Sequence, residues 1–178
     1  MDFSNRTLLF ILLAAGAIYI AYTMVKDTIR KPKDATPAPA PDAAAQTPVD
    51  KSIRPLQLAA YERLVLLVER INLQNMISRI FQPGLTAVDM QVGLIQTIKA
   101  EFEHNIAQQI YVSPTAWEAV KTLKEQTITI VNQVASQLPP DATAMDLNKQ
   151  ILEVFLQAET SPSELTSQIL NAEAKRLF

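Results

Sequence analysis

The single histidine of the chain, His104, follows Glu101 by three residues in the segment AEFEHNIAQQIYVS. On one helix, a Glu-x-x-His pair sets a carboxylate and an imidazole on neighbouring turns. Dinuclear carboxylate bundles hold their metals with two such pairs and two further glutamates, all projecting inward. With Val88 as origin and about 100° per residue, Val92, Ile95, Ile98, Phe102, Ile106 and Ile110 join it in one apolar stripe. His104 falls roughly 160° from Val88, almost opposite that stripe, beside Glu101 and Gln108. The pattern predicts a solvated or interfacial histidine and no metal site.

Other catalytic chemistry lacks its usual carriers. There is no cysteine, hence no thiolate nucleophile and no Cys-based zinc or iron–sulfur site. The three glycines, Gly16, Gly84 and Gly93, are too scattered for a phosphate-binding loop, and no nucleophile elbow is present. Lys and Arg number 16 against 18 Asp and Glu, with no basic patch interleaved with aromatics, so nucleic acid is not an expected partner. The sequence predicts no enzyme, no catalytic residues, no cofactor and no small-molecule substrate.

The elements that would position any site divide the chain into three parts. Thr7–Val25, TLLFILLAAGAIYIAYTMV, carries no charge and is bounded by Arg6 and Lys26. As a helix it reaches about 28 Å, close to the ~30 Å hydrocarbon core, and predicts one transmembrane anchor within residues 1–30. The run is longer than a signal-peptide core, and the bulky YTMVKD follows where a small-x-small cleavage site would stand. Lys26, Arg30, Lys31 and Lys33 follow the span while Arg6 alone precedes it, which places the C-terminal bulk in the cytoplasm. Residues 31–52, KPKDATPAPAPDAAAQTPVDKS, hold almost no large apolar side chain and read as an extended tether.

Residues 53–178 read as an all-α bundle of about five helices. Pro55 suits a first turn of a helix running to about Ile71, with a short continuation around Gln74–Phe81 ended by QPG at 82–84. Thr86 and Asp89 form a capping box for a helix to about Ile110. Ser113-Pro114 opens a helix to about Gln137, another spans about Ala142–Ala158, and SPSE at 161–164 opens the last. TITIV at 127–131 has strand-like alternation, but the surrounding helical period outweighs it.

One surface stands out within YERLVLLVERI. With Leu64 as origin, Glu62, Arg63, Glu69 and Arg70 surround Leu66 on the side away from the helix's other aliphatics, and none has an opposite charge at i±3 or i±4. These five residues are a candidate partner-docking face, apolar at its centre and polar at its rim. The competing expectation is that the charges pair with other helices of the same bundle.

LAAYERLVLLVERI at 58–71 and EFEHNIAQQIYVSPTAWEAVKTLKE at 101–125 resemble a family of uncharacterised bacterial single-pass membrane proteins. The resemblance covers roughly residues 53–150 and implies a location, the inner membrane, without implying an activity. It also leads one to expect proline where this chain has Leu73. Together these readings describe a membrane-tethered helical protein–protein interaction module, with the bilayer met through residues 7–25 and a protein partner or second copy met by the bundle. The alternative is an accessory subunit built into a larger inner-membrane complex.

Overall fold

The computed structural model describes residues 48–157 and 161–178. The expected span at 7–25 and most of the expected tether lie outside the described residues. Among the described residues, no helix is long and apolar enough to cross a membrane. The chain divides into two compact units, Met1–Leu56 and Gln57–Phe178. In the first, the described residues are helical, as the opening turns of α1.

Among the described residues, six α-helices follow one another: α1 Pro48–Ile71, α2 Leu73–Ile80, α3 Ala87–His104, α4 Pro114–Ser136, α5 Ala144–Gln157 and α6 Pro162–Ala174. Short 3₁₀ turns at Ile106–Ile110 and Lys175–Leu177 complete the described residues, which contain no strand. The all-α expectation holds. α1 starts seven residues before Pro55, inside the segment read as tether. Pro55 therefore lies within the helix and leaves one main-chain carbonyl a turn earlier without its intrahelical donor.

The stops and starts follow local chemistry. Asn72 separates α1 from α2 by taking extended backbone and accepting from the Gln74 N–H at 3.0 Å, so the break forms with Leu73 in place of proline. Gly84, at φ 91°, supplies the left-handed turn after α2. Ser113 and Ser161 cap α4 and α6 by accepting from Ala116 N at 2.9 Å and Glu164 N at 3.1 Å. TITIV lies inside α4: Ile130 and Val131 are buried, and the Thr127 hydroxyl donates to the Leu123 carbonyl at 2.7 Å, one turn back.

α3 differs from its expected form twice. The helix ends at His104, and Ile106–Ile110 is a 3₁₀ turn. Asn105 is the cause: it is buried, and its side-chain amide donates to the Glu101 carbonyl at 2.8 Å, in place of the backbone bond that would extend the helix. The expected apolar stripe is also only partly the buried one: Ile98 and Phe102 belong to both. Val88, Val92, Ile106 and Ile110 are exposed, while Ala87, Met90, Leu94, Ile98 and Phe102 are buried. Two adjacent apolar rows compete on this helix, and long-range contacts choose between them. α2 packs so closely that a Cβ on Gly93 would sit 3.3 Å from Ile80. α4 and α5 pack against α3 as well.

The starts of α3 and α5 lie side by side. Leu85-Thr-Ala-Val-Asp-Met and Ala142-Thr-Ala-Met-Asp-Leu repeat one pattern, and both form reciprocal threonine–aspartate boxes. Ala87 N donates to Ala142 O at 2.9 Å and Ala144 N to Leu85 O at 3.0 Å, an antiparallel bridge centred on Thr86 and Thr143. The small Ala87 and Ala144 allow this approach. The hydroxyls of Thr86 and Thr143, aided by their N–H groups, hold the Asp89 and Asp146 carboxyls below the usual carboxylate range. A depressed native pKa stabilises the fold above the unfolded value and loses that contribution as pH falls below about 4. The urea midpoint is therefore expected to be lower at pH 3 than at pH 7, and the difference should shrink in the Asp89→Asn/Asp146→Asn double variant.

Candidate functional site

The Glu101–His104 pair is taken up by α1. One nitrogen of Arg70, Nη1, reaches both Glu101 oxygens, at 3.0 and 3.2 Å. Arg63 places Nη2 3.3 Å from His104 Nε2 and donates from Nε to Asn105 Oδ1 at 3.5 Å. The carboxylate and the imidazole thus answer two different guanidinium groups instead of converging on one point. Among the described residues, no cluster of three potential metal ligands occurs.

These contacts also alter the face centred on Leu66. Leu64, Leu67, Val68 and Ile71 are buried, as the helical period requires, and Leu66 is 60% exposed. Two of its four surrounding charges, Arg63 and Arg70, are engaged by α3, whereas Glu62 and Glu69 stay exposed without an ion-pair partner among the described residues. What remains on this face is one leucine between two glutamates, a small apolar area for a docking surface.

A polar cluster that sequence spacing does not reveal joins α1, the start of α4 and α6. The buried Tyr61 donates to Glu173 Oε2 at 2.8 Å and accepts from the Ser113 N–H at 3.1 Å, while the Ser113 hydroxyl also donates to Glu173. Burial is the main cause that pushes the Tyr61 hydroxyl above its ordinary pKa. Because Ser113 Oγ already accepts from Ala116 N as a helix cap and gives its proton to a carboxylate, the trio acts as a clamp. Tyr61→Phe removes one donor and one acceptor and should cost roughly 1–2 kcal/mol in chemical unfolding, with helix content retained.

Among the described residues, a groove able to receive another molecule lies between α2 and α5. The groove, of about 560 Å³, is walled by Ile77 and Phe81 on one side and by Met145, Leu152 and Leu156 on the other, with Lys149 and Glu153 at its edge. Met145 and Leu156 are exposed, Leu156 to 82%. Asn148, only 6% exposed, also lines the groove, and its Oδ1 is buried without a donor. A buried acceptor left unpaired costs roughly 1–3 kcal/mol. On α5 the groove-lining residues fall at i, i+3, i+4, i+7, i+8 and i+11, a continuous stripe of three turns beside the core stripe of Ala144, Leu147 and Ile151. In sequence the two stripes merge into one broad apolar face, which conceals the groove.

A family model described as Family of unknown function (DUF7935) matches residues 2–177. The chain belongs to this family. Membership in DUF7935 agrees with the expectation of an uncharacterised family, and the match spans nearly the whole length. No curated protein and no solved structure matches the chain. Of three features of this DUF7935 member, the groove, the Leu66 face and the Tyr61 clamp, the groove offers the largest continuous apolar surface.

Proposed function

We infer that the protein is a membrane-tethered helical interaction module of the bacterial inner membrane, and that the groove between α2 and α5 is its docking element. The uncharged run Thr7–Val25 supports the anchor. Lys26, Arg30, Lys31 and Lys33 beyond it support a cytoplasmic bundle. The observation that carries docking is the apolar groove with its unpaired Asn148 acceptor. Its occupant is an amphipathic helix. The α5 wall from Met145 to Leu156 is about 16 Å long, the length of three helical turns, and a helix laid against it meets Met145, Leu152 and Leu156 with one apolar stripe. Asn148 Oδ1 is then met by a donor on that helix or by a water sealed beneath it.

The test uses the full chain recovered from native membranes in mild detergent. Leu156→Lys should abolish the association while leaving the melting temperature unchanged, because Leu156 is 82% exposed. Leu66→Lys should leave the association intact. Retained association in Leu156→Lys overturns the groove as the docking element. Orientation is tested separately: a reporter active only in the periplasm, fused after Phe178, should stay silent, and strong activity would reverse the topology.

A further inference from the structure

We propose that the occupant of the groove is a second copy of this chain, laid antiparallel so that two α5 helices pack across a two-fold axis near residue 151. This rests on the reading of the groove as a helix-docking site. Charge complementarity selects this occupant. Lys149 and Glu153 stand four residues apart on the same edge of the apolar stripe, on either side of its midpoint. Neither makes an ion pair within the chain among the described residues, where the pairs are Arg70–Glu101, Lys121–Glu118 and Lys124–Glu125.

A two-fold axis brings like edges of two antiparallel helices together. Lys149 of one copy then faces Glu153 of the other, and the reciprocal pair forms at the same moment. In that register Met145 comes opposite Leu156 to within one residue, a displacement of about 1.5 Å along the axis. Leu152 sits beside the two-fold axis, over the middle of the groove. A parallel arrangement brings unlike edges together and gives neither charge a partner in the other copy; Lys149 then has only the attraction of Asp146, one turn before it on the same helix. The stripe is thus complementary to itself in one direction only.

The contact is short. Three helical turns bury less than the roughly 800 Å² per partner of a standard interface, so association in dilute solution is weak. Confinement to one bilayer face raises the effective concentration of the copies and completes the dimer.

The experiment therefore uses the full chain in phosphatidylcholine–phosphatidylglycerol vesicles. Because the chain has no cysteine, Leu152→Cys supplies a single reactive site for a short bismaleimide. Covalent dimer is expected. Adding Lys149→Glu or Glu153→Lys alone should slow its formation at least about tenfold by setting like charges opposite each other. The double swap Lys149→Glu/Glu153→Lys should restore the rate to within about twofold, which neither an unrelated partner nor chance collision would do. Circular dichroism on each variant confirms that the bundle is folded. Absence of dimer, or dimer formation indifferent to the swaps, overturns the second copy. If Leu156→Lys still abolishes association in native membranes, the groove reading survives that outcome; if it does not, both fall.

Discussion

Leu94→Ala is expected to lower the unfolding free energy by about 3–5 kcal/mol, the upper part of the range for a leucine removed from a fixed core. Leu94 is fully buried on α3, the helix against which α2, α4 and α5 all pack, so few neighbours can move to fill the space. Urea unfolding of the variant measures the loss. The matching substitution on the competing row, Val92→Ala, should cost less than about 1 kcal/mol, because Val92 is exposed. Equal losses at the two positions would mean that α3 presents a different face to the core.

Asn148→Leu should act in the opposite direction, raising stability by about 1–3 kcal/mol, since it exchanges an unpaired buried acceptor for an apolar side chain of similar size. Thermal and urea unfolding would both register the gain. The same variant should weaken association in native membranes, because it removes the Oδ1 acceptor that a donor on the docked helix would meet. A position where the native residue is the less stable choice, and where the better-packed residue loses binding, is the expected signature of a site kept for recognition. A loss of stability in Asn148→Leu would show that the asparagine serves the fold.

The parts of this architecture legible in the sequence are those set by neighbours along the chain. Thr86 with Asp89, Ser113 before Pro114, and Ser161 before Pro162 with Glu164 are decided within a few residues, and each cap forms where its pattern stands. The paired box at Thr143 and Asp146 was equally legible, since it repeats the Thr-Ala-x-Asp pattern of Thr86–Asp89. Contacts between distant segments were not. The period on α3 admits two apolar rows, and the choice between them depends on Ile80 approaching Gly93 and on the bridge between Thr86 and Thr143. Arg63 and Arg70 lack partners on their own helix, and they find Asn105, His104 and Glu101 about 30 to 40 residues away. That pairing draws them away from the face around Leu66, which sequence spacing alone had marked for docking. The groove was hidden for a related reason: α5 is apolar over a face broad enough for two neighbours, and the sequence does not say that α2 covers only part of it.

The bundle is proposed to meet its partner through the groove between α2 and α5. The most direct measurement places a photo-crosslinking amino acid at Leu156 in one full-length variant and at Leu66 in another, each irradiated in native membranes. Leu156 is expected to give a defined adduct at twice the mass of the chain, and Leu66 none. An adduct from Leu66 with none from Leu156 would contradict docking through the groove.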